Sequence, residues 1–200
     1  MPSAKKTRYA VLGLLMWNPM SGYDIKKLVD VGLSHFWNEN YGQIYPTLDQ
    51  LVKEGLATKK SERKSGKRKR FVYSITDDGK RAFRDWLAGP TDAPIVRNEL
   101  QLKFFLSASS PAKAISLIES YRVQQTQLLE EYRASEGVLR AALQDGVSVE
   151  QLDDILAVTA RTTQQKKRQL RAFLLTLRHG VLVVEARLAW CEEVISSLID

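Results

Sequence analysis

Residues 56–76 read LATKKSERKSGKRKRFVYSIT, and their interpretation decides the fold. Two short strand-like runs, Leu56 to Lys60 and Arg70 to Ile75, flank a basic segment around Gly66. Eight cations, Lys59, Lys60, Arg63, Lys64, Lys67, Arg68, Lys69 and Arg70, fall within twelve positions, opposed only by Glu62. In isolation such a run is a solvated loop. Its neighbours change that reading.

Upstream, residues 7–17 carry Ala10, Val11, Leu14, Leu15 and Trp17 at helical spacing, and Asn18-Pro19 ends the helix. Ser21 is a candidate N-cap for a second helix, from about Tyr23 to Phe36, buried through Ile25, Leu28 and Val29. A third helical pattern runs from about Gly42 to Glu54, apolar at Ile44, Leu48, Leu51 and Val52, and stops at Gly55. Downstream, Thr76 caps a fourth helix over Asp77 to Leu87, with acids in the first turn where the macrodipole favours them. The order helix, helix, helix, strand, basic loop, strand, helix is that of a winged helix-turn-helix with a two-stranded wing.

Charge supports this placement. The 200-residue chain is 44% hydrophobic and 26% charged, with a net +7, a globular composition rather than a disordered one. Residues 1–90 carry 17 Lys and Arg against 9 Asp and Glu, whereas residues 91–200 carry 13 against 14. The positive excess therefore lies with the winged helix and points to an anionic partner. The single cysteine, Cys191, allows no intrachain disulfide and fits a reducing compartment. The apolar run from Tyr9 to Trp17 is about half a membrane span, and Asn18-Pro19 does not resemble a signal-peptidase site. These features are those of a cytoplasmic protein.

The second half reads as all-helical. Gly89-Pro90 opens a linker at 90–94, so the expected division is a winged helix at 1–89 and a helical dimerisation domain at 95–200. One helix passes through Leu100, Phe104 and Phe105. Pro111 suits the first turn of another, with a broken stripe of Ile115, Ile118, Leu128, Leu129, Tyr132 and Leu139. Asp145-Gly146 marks a turn, and Ser148 with Gln151 is a capping-box pattern opening a long last helical stretch. There Leu174, Leu177, Val181, Val184, Leu188, Cys191, Ile195 and Leu198 are spaced 3, 4, 3, 4, 3, 4, 3, a heptad seam suited to a dimer interface. An intramolecular core helix is the other reading, since Leu182, Val183, Trp190 and Val194 widen the apolar face.

The third helix is the candidate reading helix. With Ile44, Leu48 and Leu51 facing inward, Gln43, Pro46, Thr47, Gln50 and Lys53 are expected outward. Gln43 and Gln50 can pair with adenine, Pro46 and Thr47 can meet a thymine methyl, and Lys53 can reach a phosphate. Tyr41 and Tyr45 offer hydroxyls to the backbone. Lys67, Arg68, Lys69 and Arg70 are the phosphate candidates on the wing. Asp49 would be repelled by phosphates unless it accepts a cytosine amino group or pairs with a wing cation.

Several runs carry a family resemblance: residues 41–48 (YGQIYPTL), the Gly22-Tyr23-Asp24-Ile25 start of the second helix, Phe36-Trp37, and Tyr73-Ser74-Ile75-Thr76 with Gly79. Together they resemble the PadR family of bacterial transcriptional regulators. Pro90-Thr91, Pro94, Arg97, Glu99 and the stretch from Leu188 to Leu198 resemble its virulence-activator branch. The resemblance implies a homodimer whose winged helices bind a palindromic operator, repressing more often than activating, and whose C-terminal helices dimerise. It also implies a small, often aromatic, effector that releases DNA. Tyr121, His179 and Trp190 are the candidate residues for that pocket. Asp49 and Gln50 stand where many relatives have arginine, which shifts electrostatic affinity toward the wing.

An enzyme is not indicated. His35 and His179 are the only histidines and lie far apart, and neither a metal-ligand spacing, a phosphate loop nor a nucleophile elbow is present, so no cofactor is expected. A winged helix can also serve as a protein-interaction or assembly module. The basic wing favours DNA, because each cation on a phosphate backbone gains from counterion release.

Overall fold

The computed structural model describes residues 3–33, 35–37, 41–62, 70–92, 98–107, 109–144, 156–157 and 159–199. They form two units, Met1–Asp92 with Ser148–Leu170, and Ala93–Val147 with Arg171–Asp200. The wing tip with Lys67, Arg68 and Lys69 lies outside the described residues, as do the Asp145-Gly146 turn and the Ser148/Gln151 capping box.

In the first unit, α1 (Ser3–Trp17) contributes Val11, Leu12, Leu14 and Leu15 to the core. Helix α2 (Gly22–Gly32) contributes Ile25, Leu28 and Val29. It stops short of the expected Phe36. The chain turns instead through bonds from the Phe36 and Trp37 amides to the Leu33 carbonyl, just after Gly32, a residue of poor helix propensity. A 3₁₀ turn at Tyr41–Gln43 leads into α3 (Ile44–Lys53), which buries Ile44, Leu48 and Leu51. Pro46 is the third residue of α3, where a backbone N–H would have no intrahelical partner, so the proline is tolerated.

The end of α3 is a Schellman motif. Gly55 is left-handed at φ 73°; its amide donates to the Val52 carbonyl at 3.1 Å and the Leu56 amide to the Leu51 carbonyl at 2.9 Å. Strands β1 (Ala57–Glu62) and β2 (Arg70–Ile75) then pair antiparallel, from Ala57 opposite Ile75 to Glu62 opposite Arg70. Met20 adds a bridge outside the sequence expectation, exchanging backbone bonds with Tyr73 at 3.1 and 2.9 Å. Thr76 caps α4 (Asp77–Ala88) by accepting from the Gly79 amide, while its hydroxyl donates to the Gly55 carbonyl at 2.8 Å. Trp86 of α4 stacks on Tyr9 of α1, ring centroids 4.8 Å apart.

Ser148–Leu170 groups with the winged helix. Leu156, Thr159 and Leu170 are buried there. The Thr159 hydroxyl donates to the Gln169 side chain at 2.7 Å, and the Arg161 guanidinium donates twice to Asn18 Oδ1 at 3.0 and 2.7 Å. Local periodicity carries no signal for a segment that returns across so long a stretch of chain.

The second unit holds α5 (Glu99–Leu106), α6 (Pro111–Gln144) and the larger part of α7 (Thr163–Ile199). Helices α6 and α7 run antiparallel. Ile118 packs with Cys191 and Val194, and Leu129 with Val181 and Val184. Arg122 pairs with Glu192 and Arg133 with Glu185, both at 3.0 Å, and Arg178 with the buried Glu136 at 3.6 Å. The centre of the heptad seam is thus engaged by α6 of the same chain. Val181, Val184 and Cys191 are fully enclosed, while Leu174, Leu188, Ile195 and Leu198 keep partial exposure. Burial pushes the Cys191 thiol up, which disfavours the reactive thiolate. Among the described residues, no helix is long and apolar enough to cross a membrane.

Two glycines give opposite expectations. A Cβ at Gly79 would lie 2.1 Å from the Leu56 carbonyl oxygen, whereas one at Gly137 on α6 would meet nothing within 4 Å. Gly79→Ala should lower stability by about 2–4 kcal/mol, and Gly137→Ala should raise it by about 0.5–1 kcal/mol through helix propensity. Urea denaturation of the two variants checks both signs.

Candidate nucleic-acid interface

The outward face of α3 is set by what is buried. With Ile44, Leu48 and Leu51 inside, Pro46, Asp49, Gln50 and Lys53 are exposed, and by helical geometry Pro46 and Lys53 run along the middle of that face with Asp49 and Gln50 on either side. Thr47 is half-buried at its edge, and Asp49 is exposed on it. Gln43 is exposed in the 3₁₀ turn that also contains Tyr41. Tyr45 is 53% exposed, and its ring lies over the start of α2. A Cβ at Gly22 would come within 2.6 Å of that ring, which accounts for glycine in the Gly22-Tyr23-Asp24 motif.

The polar groups on this face are tied to one another. Gln50 donates its amide to Glu54 at 2.8 Å, and the other oxygen of Glu54 accepts from Arg8 of α1 at 2.5 Å. This bond occupies one of the two Gln50 amide hydrogens. Asp49 accepts from Lys59 of β1 at 3.0 Å, the wing-cation pairing that its position on this helix called for. Lys59 lies 4.6 Å from the Phe71 ring centroid and 5.4 Å from that of Tyr73, within cation–π range. The hydrogen bond to Asp49, then that of Tyr73, raise the Lys59 ammonium above the usual lysine range.

The second strand is held as well. Arg70 pairs with Asp24, whose carboxylate also accepts from the Ser21 amide at 2.8 Å and hydroxyl at 2.7 Å, closing the capping box of α2. Arg70, expected on a phosphate, already has a carboxylate partner. Sequence reasoning did not assign Arg8, Asp24, Glu54 and Lys59 to the site: Arg8, Asp24 and Lys59 join it through tertiary bonds, and Glu54 through an i,i+4 bond to Gln50. Asp24 left a sequence signal in the Ser21-x-x-Asp24 box, and Lys59 in the basic run of the wing.

In the second unit, Tyr121 and Trp190 pack against the Ile118–Cys191 cluster, and Phe104 meets Trp190 edge-on at 5.8 Å. His179 is exposed elsewhere on α7, about 16 Å along the helix from Trp190. The three candidate pocket residues are not brought together. Beside Tyr121, an open groove of about 460 Å³ is lined by Arg122, Val123, Thr126, Gln127, Leu188 and Glu192. Among the described residues there is no cluster able to hold a metal ion.

Comparison with known proteins gives consistent matches. The model of the transcriptional regulator PadR-like family matches residues 11–85, and that of the virulence activator alpha C-terminal family residues 96–198. The negative transcriptional regulator PadR of Bacillus subtilis is 34% identical over 137 residues, 68% of this chain and 75% of that protein. The crystal structure of Bacillus subtilis PadR in complex with operator DNA is similar at a TM-score of 0.76 and 26% identity, covering 96% of this chain and 98% of that one. Its complex with p-coumaric acid gives 0.76 and 26%, covering 100% and 99%.

The Asp24 carboxylate joins a helix cap to the wing, so its loss should exceed that of an ordinary surface acid. Asp24→Ala should cost about 1–2 kcal/mol, while Asp77→Ala, which removes an exposed i,i+3 pair with Lys80, should stay within about 0.5 kcal/mol. Equal denaturation midpoints for the two variants would count against the joint role.

Proposed function

We propose, from the premise that this chain belongs to the PadR-like family of transcriptional regulators, that it is a homodimeric repressor of an inverted-repeat operator, acting in the cytoplasm. The carrying observation is the exposed face of α3 set beside a wing that is ion-paired to both helices of the helix-turn-helix. In this reading the α3 helices of two subunits enter successive major grooves about one helical turn apart, with the wings on flanking backbone. Gln43, Gln50 and Pro46 face base edges, with Thr47 at the margin. Lys53, Tyr41, Tyr45 and the wing cations Lys67, Arg68 and Lys69 face phosphates, and Arg70 does so if it leaves Asp24. Repression follows from occlusion of the promoter and agrees with the negative regulator that the chain resembles.

Dimerisation belongs to the helical half. Because α6 engages the middle of the heptad seam, the surfaces left for a second copy are elsewhere. Helix α5 exposes Leu102 at 58%, Phe105 at 76% and Leu106 at 69%, and α7 exposes Leu175 at 64% and Leu182 at 51%. Leu175 and Leu182 are one heptad apart on one face, and exposed apolar surface of this kind marks an interface. An aromatic acid, the class bound by the relative crystallised with p-coumaric acid, would find the Tyr121, Trp190 and Phe104 rings and the Arg122 guanidinium close together in the same half.

A fluorescent duplex carrying the chain's own promoter should bind at nanomolar concentration at 50 mM salt and lose about 10³-fold or more in affinity by 200 mM. Salt-independent binding, or equal affinity for a scrambled duplex, would remove the regulator reading. Adding p-coumaric acid should release the duplex. For the dimer, Leu175→Glu with Leu182→Glu should sediment as a folded monomer, whereas Val184→Glu with Leu188→Glu should unfold the α6–α7 pair. The reverse outcome would return the interface to the seam.

A further inference from the structure

Asp49 presents a chemical problem that the pairing with Lys59 only half answers. Duplex DNA carries one negative charge per about 1.7 Å of axis, and Asp49 sits on the face that approaches it, 54% exposed at its side chain. Were the carboxylate only tolerated, its cation could take any position that cancelled the charge. The cation is instead fixed. The ladder places Lys59 opposite Tyr73, the rings of Phe71 and Tyr73 hold its ammonium, and the ammonium meets one carboxylate oxygen, Oδ1, at 3.0 Å. Among the described residues nothing bonds Oδ2.

An oxygen held in this way is an acceptor with no donor capacity. In the major groove, guanine presents two acceptors and thymine an acceptor and a methyl, so neither can satisfy it. Adenine offers its amino group beside the N7 lone pair, which a carboxylate meets unfavourably. Cytosine offers an amino donor alone. We propose that Asp49 is a specificity-determining residue that reads a cytosine amino group in each half-site, and that Lys59 is its positioning residue, orienting the carboxylate and cancelling its charge toward the phosphates. This rests on the DNA-binding reading above and adds to it a base identity.

The test uses the full-length chain and a library of randomised duplexes, with the bound fraction sequenced. Wild type should enrich a motif with cytosine at one position of each half-site. Asp49→Ala should leave that position degenerate, losing about five- to 150-fold discrimination, with the other positions unchanged. Asp49→Asn should convert it toward adenine, because an amide can donate to N7 while accepting from N6. Lys59→Met should weaken binding to every sequence, Lys59→Arg should restore it, and Lys59→Met should cost less in the Asp49→Ala background than in wild type. Thermal melting of each variant near that of wild type shows that the fold is retained. An unchanged motif in both Asp49 variants, with wild type still enriching one, would overturn the cytosine assignment and leave the regulator reading standing. No enriched motif from wild type would overturn that reading and this inference together.

Discussion

The backbone of Leu56 is the point on which the winged helix turns. Its amide closes the Schellman motif at the end of α3, and its carbonyl accepts the Thr76 amide at 3.0 Å where the wing returns. Gly79 presses against the same carbonyl so closely that no side chain fits between them. The chain therefore leaves the reading helix and enters α4 through a single knot of backbone groups, reinforced by the Thr76 hydroxyl on Gly55. Because both ends of the hairpin are tied there, the wing's direction relative to α3 is determined by bonds at its base. The geometry of the DNA face depends on that direction.

Two ion pairs then fix the hairpin further out. Lys59 connects β1 to α3 through Asp49, and Arg70 connects β2 to α2 through Asp24. Exposed pairs contribute little to stability on their own. Here each spans two elements, and the Asp24 pair uses a carboxylate whose side chain is only 11% exposed and already bound to a helix N-terminus. Their effect lies more in orientation than in free energy. It also changes the electrostatics of the first half, since two of the eight cations counted in the wing are neutralised by neighbours within the same unit.

How much of this was legible depends on the range of the interaction. The order of elements, the Ser21 and Thr76 caps and the Gly55 stop could all be read because each is decided within a few residues. The strand at Arg70–Ile75 was placed to the residue, since β-branched and aromatic side chains cluster there. The bridge from Met20, the bond from Arg8 to Glu54 and the return of Leu156 and Leu170 to the winged helix join positions far apart in the chain, and no local pattern encodes them. The reading face differs from the expected one only at its margins, where Thr47 is half-buried and Asp49 is exposed.

The heptad in α7 is a sharper case, because its periodicity leaves open whether the covering helix belongs to the same chain or to a second copy. A 3, 4 spacing states that one face of a helix is covered by another helix; it does not state whose. Helix α6 supplies the answer for the middle of the seam, and the ion pairs on its margin, Arg122 with Glu192 and Arg133 with Glu185, fix the antiparallel register. The apolar face of α7 is wider than one partner can cover, as Leu182 among the widening residues already indicated. What α6 leaves exposed is then the relevant surface for a second copy. A helix buried on one side within its own subunit and apolar on the other can join subunit folding to assembly, so a substitution on either face must be judged by which of the two it disturbs.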